Sequence, residues 1–402
     1  MSRRVLVTGG SIAGAASAFW LARVGFAVTV LESAPAFRPG GQNIDVRATG
    51  REALRRMGLE GAVRARNTGE VGTRFVDGDG TVVSEFGVDT AEGSEGPTAE
   101  LEILRGALAQ VVMDACEDSV AWRYGDRVTA VTQRDGGGVE VSYETGDDET
   151  YDLLVVAEGV GSRTRELVFG GEAQERTLGM YSAYGTIPRT PGDDDFWNVF
   201  HAPGSRQAAL RPDDEGTIRA NLNFLADSPV LDGLDDEQTR AALRERFADA
   251  GWQVPRILDG FDAADDLYVD WLRQVRVPTW HRGSVVLTGD AAWCVTPIGG
   301  GGASLAIAGA YVLAAYLSAA DGTPAGDEAA FTAYDAWMRP LVEDAQDLPR
   351  GVPRLAAPKT ALGVGALRLA TKVAASKPVK TVAQKVTGGP QSTRQLPDLV
   401  EA

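Results

Sequence analysis

The sequence predicts an α/β chain, α+β overall. A parallel-sheet domain is interrupted by an inserted antiparallel sheet and followed by a C-terminal helix. Three observations carry this reading. Val5-Leu6-Val7 and Val28-Thr29-Val30-Leu31 are short apolar runs flanking a helix-forming stretch, residues 13–23, which makes a βαβ unit. From about residue 170 to 280, strand-like runs separated by Pro, Asp and Gly turns take over. At residues 284–287 a buried apolar strand returns, before a long apolar helix over 304–319.

Between these landmarks each element has a local reason. Gly25 stops the first helix, and residues 51–57 form a second that ends at Gly58. Residues 73–76 and 82–86 alternate around Asp77-Gly78-Asp79-Gly80, a hairpin signal. Residues 102–116 read as an amphipathic helix. Residues 128–133 and 139–143 form a second hairpin around Gly136-Gly137-Gly138, and 153–156 a buried strand. In the insertion, 198–201, 207–210 and 218–224 are strands and 236–250 is a helix. The expected domains are 1–72, 101–171 and 281–348 as one discontinuous unit, 73–100 and 172–280 as a second, and 349–402 as a C-terminal helical segment and tail.

A net charge of −17 argues against a nucleic-acid partner, which needs clustered positive charge. Two histidines, His201 and His281, leave no protein-built metal site and no serine hydrolase triad, and no G-x-S-x-G elbow occurs. Cys116 and Cys294 lack metal-ligand spacing and read as reduced thiols of a cytoplasmic protein. The start, Met1-Ser2-Arg3-Arg4 before apolar residues, imitates a signal peptide, but Thr8-Gly9-Gly10-Ser11 breaks the run at a strand-to-helix turn. No apolar run is long enough for a membrane span.

Two motifs carry chemistry. Gly9-Gly10-Ser11-Ile12-Ala13-Gly14 matches G-x-G-x-x-G with Ser11 at the second glycine. The first glycine makes the tight turn, and a small second side chain lets the backbone approach a pyrophosphate at the helix N-terminus. The last glycine allows close helix–strand packing. Glu32 ends the second strand, where a carboxylate can accept from both ribose hydroxyls. Together these predict a Rossmann-like dinucleotide site. The second motif, Gly289-Asp290-Ala291-Ala292, follows a strand and precedes Pro297 and Gly299-Gly300-Gly301-Gly302 at a helix start. Asp290 can bind a ribityl hydroxyl, while the helix dipole faces a flavin's electron-rich edge and phosphate.

On these residues the chain resembles single-component (class A) flavoprotein monooxygenases of the para-hydroxybenzoate hydroxylase fold. Within that group it is similar to tetracycline-inactivating and natural-product tailoring enzymes. Residues 152–159 with Ser162 and Arg165 resemble the family's third signature, with Glu158 in place of its aspartate. That acid serves both flavin and nicotinamide in the family. The resemblance implies bound FAD held by Gly9, Ser11, Ile12, Ala13, Gly14, Glu32, Ser33, Arg38, Asp45, Arg105, Glu158, Asp290, Pro297 and Gly300 to Gly302. It makes residues 40–46 the loop beside the isoalloxazine ring. Ser11, Ser33, Glu158 and Trp293 depart from the family pattern.

The resemblance further implies transient NADPH or NADH, O₂, and a flavin C4a-hydroperoxide that passes one oxygen to a substrate. Hydroxylation, epoxidation and Baeyer–Villiger insertion into an aromatic or polycyclic natural product are all open. A non-redox cyclisation using FAD structurally is the alternative, because Glu158 is altered. A halogenase is disfavoured, since no lysine precedes Lys359. The catalytic chemistry is flavin-borne, with His201 and Arg211 the weak protein candidates. Phe196, Trp197, Phe200 and Phe224 could line the pocket or form ordinary sheet core. The chain is expected to be a monomer or homodimer. Its tail holds all five lysines, among Leu355, Leu362, Leu367, Leu369 and Val373. This basic amphipathic segment, broken by Pro358 and Pro378, reads as a helix packed across the domains, with membrane-surface or partner binding as the alternative.

Overall fold

A computed structural model describes residues 2–87, 101–349, 351–375 and 394–401. The initial βαβ unit sits at the centre of a six-stranded sheet. In spatial order the sheet runs His281–Arg282, Val285–Leu287, Leu153–Val156, Arg4–Thr8, Ala27–Glu32 and Val120–Tyr124. All neighbours are parallel except the first pair. Helices Ile12–Arg23, Arg105–Asp114 and Gly302–Ser318 and the three-stranded antiparallel sheet Val128–Gln133, Val139–Tyr143, Glu149–Tyr151 pack on this core, which is why these strands are nearly all apolar. Val5, Leu6, Val7, Leu153 and Val286 are fully buried, each contributing about 1.5–3 kcal/mol of transfer free energy.

Helix Ile12–Arg23 lies between helices Arg105–Asp114 and Gly302–Ser318. Helix Ala48–Arg56 crosses the last of these closely, because a Cβ on Gly50 would fall 2.5 Å from the Ser304 backbone.

The second sheet has seven strands: Tyr268–Arg276, Gln174–Pro188, Thr217–Leu225, Arg206–Pro212, Phe196–Ala202, Gly72–Val76 and Val82–Gly87. Only Phe196–Ala202 and Gly72–Val76 pair in parallel. One face buries Tyr181, Ala183, Phe200, Leu222 and Phe224 against helices Asp236–Phe247 and Val254–Ala263. The first helix starts on a reciprocal capping box between Asp235 and Gln238, which satisfies two backbone donors.

Several elements differ from expectation. Residues 102–116 do not form one helix. Glu102–Leu104 is a strand paired antiparallel with Asn43–Asp45, and the helix begins at Arg105. Leu104 holds extended backbone (ψ 140°), which forbids continuing the helix N-terminally. The segment 40–46 therefore contains a strand rather than only loop. Strand Val120–Tyr124 and helices Arg163–Phe169, Val254–Ala263 and Pro324–Gln346 add to the elements named from sequence. In the tail, helix Ala361–Ala374 forms, while Lys377, Pro378, Lys380 and Lys385 lie outside the described residues.

Candidate active site

The glycine turn is held by its own backbone. Gly9 takes φ +95°, and its N–H donates to the Leu31 carbonyl at 2.8 Å. A Cβ on Gly14 would fall 1.8 Å from the Gly9 carbonyl oxygen, so only glycine permits this strand–helix approach. Glu32 closes the turn: Oε2 accepts from Gly10 N at 2.8 Å, and Oε1 from Ala34 N at 2.8 Å and Ser33 Oγ at 3.3 Å. Ser11 stands at the N-cap with no side-chain capping bond, so its hydroxyl is free to donate elsewhere. Arg38 is exposed beyond the second strand.

Asp290 opens a four-residue helix after Gly289, whose φ is +60°. The carboxyl is half-buried and accepts no hydrogen bond from the described residues. Burial pushes its pKa up, the Arg105 guanidinium pulls it down, and the Asp270 carboxylate pushes it up again. Thr296 holds φ +68°, costly for a β-branched residue, on the way to Pro297 and the open glycines. Gly300 and Gly301 have positive φ, and a Cβ on either would meet nothing within 4 Å. Asp45 pairs with Arg47 at 2.9 Å, and Arg47 N donates to Ser304 Oγ at 2.8 Å, fastening this segment to the long helix.

Glu158 is turned into its own loop. Its carboxylate accepts from Ser162 Oγ (2.8 Å), Thr164 N (3.0 Å) and Thr164 Oγ1 (2.5 Å), and so supports the first turn of helix Arg163–Phe169 beside its N-cap, Ser162, whose Oγ accepts from Arg165 N at 3.1 Å. Arg165 is buried, and its Nη1 donates to the Val160 and Ala291 carbonyls.

The inserted sheet turns its other face toward this constellation. Side chains alternate along a strand. With Phe200, Leu210, Leu222, Ala183 and Trp271 packed on the helix side, Trp197, Arg211, Asn221, Tyr184 and Asp270 point the opposite way. The same parity corrects the aromatic pocket. Phe200 and Phe224 are core beneath the helices, Phe196 lies under the Arg74 guanidinium, and only Trp197 of the four faces inward.

Electrostatics join the two sides. Burial raises Asp270, and the Arg273 and then the Arg105 guanidinium counter the shift. Burial also raises Tyr184, whose charge environment includes Asp270, Tyr268 and Arg211. The geometry agrees: the Asp290 helix packs on strand Tyr268–Arg276, where Val275 N donates to the Cys294 carbonyl at 3.1 Å, and Asn43 Nδ2 donates to the Pro212 carbonyl at 3.0 Å, so Arg105 and Asp290 share one electrostatic neighbourhood with the inner sheet face.

Of the weak catalytic candidates, Arg211 stacks 4.3 Å from the Trp197 centroid, with Nε 2.8 Å from Glu70 and Nη2 2.9 Å from Glu102. Burial opposes its charge, but the two acidic side chains beside it keep it protonated. His201 is buried beside Phe75 and Gln207. Burial pushes it down to about 4, partly offset by the Ala356 backbone, with Arg368 lowering it further. None of these neighbours belongs to the Gly9–Asp290 constellation.

Sequence reasoning missed Glu70, Glu102, Tyr184 and Asp270. The one available signal was an acid set inside the apolar run Leu101 to Leu104.

The family model described as FAD binding domain matches residues 2–348. The chain belongs to that family of flavin-dependent monooxygenases. Among its relatives is the flavin-dependent monooxygenase eupH of Phoma sp, 36% identical over 388 residues, covering 90% of each chain. Monooxygenase CTB7 of Cercospora beticola is 36% identical over 389 residues, covering 92% of each. In fold, the monooxygenase is similar to tetracycline destructase Tet(51), with a TM-score of 0.80 and 28% identity over 99% of both chains.

The residues present fit FAD. The glycine turn leaves no room for a Cβ at Gly14, Ser11 Oγ and the Asp290 carboxyl have no hydrogen-bond partner among the described residues, and the turn before helix Gly302–Ser318 is open glycine backbone. Such a turn presents N–H groups and the positive dipole end of a 17-residue helix.

Proposed function

We propose that the protein spends NADPH or NADH and O₂ to insert one oxygen atom into an aromatic or polycyclic natural product, releasing the second oxygen as water. The single observation carrying this is the shared electrostatic neighbourhood of Arg105 and Asp290 with the polar inner face of the inserted sheet. A substrate between them would touch Tyr184, Asn221 and Arg211 while facing the cofactor side. FAD, when bound, supplies the two-electron and O₂ chemistry.

In this reading residues 1–72, 101–171 and 281–348 hold the cofactor. Glu32 would take the ribose hydroxyls, Ser11 and the Gly9–Gly14 turn the pyrophosphate, Asp290 the ribityl chain, and Arg105 a phosphate or flavin oxygen. The sheet of 172–280 would orient the substrate and exclude water, and Arg211 Nη1, free of its two carboxylates, could hold a phenolate or enolate oxygen. The names of the relatives and the tetracycline destructase fold support hydroxylation-type chemistry on a polycyclic phenol. Glu158 motivated the non-redox reading, but a carboxylate spent on the first turn of the helix that follows it lends that reading no support.

The test is anaerobic stopped-flow reduction of the bound flavin by NADPH and NADH, followed by turnover with a panel of aromatic polyketides and mass detection of one added oxygen. Absence of flavin reduction with either coenzyme, with or without substrate, would overturn the proposal.

A further inference from the structure

The C-terminal segment is charged opposite to the rest of the chain. Residues 350–397 hold nine Arg and Lys and no Asp or Glu, in a protein of net charge −17. Within it, helix Ala361–Ala374 lies on strands Val82–Gly87 and Phe196–Ala202 and buries Val364. A helix docked by one narrow stripe normally turns charge to solvent. This helix does the reverse. Leu362 is 88% exposed and Leu369 63%, with Ala366 and Ala370 exposed beside them. Positions 362, 366 and 369 are four and three apart, so they form one outward apolar stripe. Leu355, on the short helix before it, is 74% exposed. Lys359 and Lys372 flank the stripe, and both are exposed.

We propose that this helix is an interfacial element that seats its Leu362–Leu369 stripe in an anionic lipid surface, with the surrounding Arg and Lys side chains meeting headgroup phosphates. Apolar residues between cations on a helix of this length suit the headgroup boundary. Fourteen residues span only about 21 Å along the axis, so the helix lies in the plane rather than crossing. A second copy could match this stripe only with its own, which would set the basic flanks of two copies against each other. Among the described residues, no other helix or strand exposes more than one large apolar side chain. A nucleic acid would meet the cations but leave the leucines in water. The inference stands apart from the oxygen-insertion reading, because no residue of the stripe belongs to the cofactor or substrate faces.

The test is co-sedimentation of the full-length, FAD-loaded protein with phosphatidylcholine vesicles, alone and with about one third phosphatidylglycerol. Binding to the anionic vesicles is expected to exceed that to neutral ones by about tenfold and to weaken as salt is raised. The double substitution Leu362→Asp with Leu369→Asp should abolish it while bound-FAD absorbance stays unchanged, since both side chains are exposed. Lys359→Glu with Lys372→Glu should weaken it on anionic vesicles only. Equal binding to both vesicle types, or full binding by the leucine variant, would overturn the proposal. So would a wild-type dimer that the leucine variant dissociates without any vesicle binding, or binding to DNA in place of vesicles.

Discussion

Arg165 donates to the Ala291 carbonyl at 3.2 Å, joining two short helices 126 positions apart in the chain. The same Nη1 holds the Val160 carbonyl at 3.0 Å. The third signature is thereby fastened to the turn that carries Asp290. Arg165→Lys is expected to keep one of these bonds at most, because the shorter lysine side chain ends one bond short of the Nη1 position that makes both. With the side chain almost wholly buried, the loss should be about 2–4 kcal/mol in urea unfolding, with weaker FAD binding in a fluorescence titration. An unchanged FAD affinity would show that Arg165 does not position Asp290.

Glu158 joins the Ser162 N-cap in satisfying the first turn of helix Arg163–Phe169, through the Thr164 backbone and two hydroxyls. Glu158→Ala should cost about 1–2 kcal/mol, as loss of a helix cap does, while FAD affinity falls by less than about threefold. Glu158→Gln keeps acceptor oxygen on one side only and should lie between. Thermal melting and flavin titration separate the two effects.

A Cβ on Gly106 would fall 1.7 Å from the Pro39 carbonyl oxygen, a backbone atom with no rotamer to yield. Gly106→Ala must therefore displace the 39–41 turn, which also packs on Arg105. The expected outcome is a folded protein, by circular dichroism, that copurifies with far less flavin. Normal flavin content would show that the turn has no part in cofactor binding.

The Gly9–Gly14 turn and Glu32 were legible because their chemistry is local: a strand ends, a turn tightens, and a carboxylate follows one strand later. The strand Glu102–Leu104 was not legible, since its partner Asn43–Asp45 lies about sixty positions away and nothing local distinguishes it from a helix start. Strand Gln174–Pro188 was obscured by Gly179, where its register with Tyr268–Arg276 shifts and the apolar alternation breaks. The inner sheet face needed one further fact, the side on which the helices pack. Sequence makes Phe200 and Phe224 attractive pocket residues, and only that side shows them to be core while Tyr184 and Arg211 face inward. Glu158 aligned with a signature but its partners, Ser162 and Thr164, decide its role.

His201, pushed down to about 4 by burial, is neutral from about pH 5 upward. Its lowered pKa means that any titration falls below the range where the enzyme would be assayed. His201→Gln should leave the shape of the kcat/KM profile between about pH 5.5 and 8 unchanged and alter its height by less than about threefold. A general base would cost about a hundredfold or more and remove a limb of the profile.

Glu102 is an acid displaced far above its ordinary range. Burial pushes it up to about 8, Arg211 pulls it back, and Glu70 and Asp45 push further. Its geometry agrees with a carboxylic acid rather than a carboxylate. Oε1 accepts from Asn43 at 2.6 Å and Thr68 at 3.0 Å and faces Arg211 at 2.9 Å, whereas Oε2 is buried without a partner. The folded pKa is raised above the unfolded value near 4.5, so the group's contribution to stability is complete below about pH 4.5 and is lost as pH climbs through about 8. The slope in that window is at most about 1.4 kcal/mol per pH unit. Glu102→Gln keeps the acceptor oxygen toward Asn43, Thr68 and Arg211 and cannot ionise, while Glu70 still pairs with the guanidinium. The variant should therefore weaken less steeply than the wild type between about pH 5 and 8, its remaining slope coming from the raised Asp270 and Asp290. A wild-type profile that is flat over this range, or a variant profile that falls in parallel with it, would mean that Glu102 is ionised throughout and that Arg211 holds two carboxylates at once.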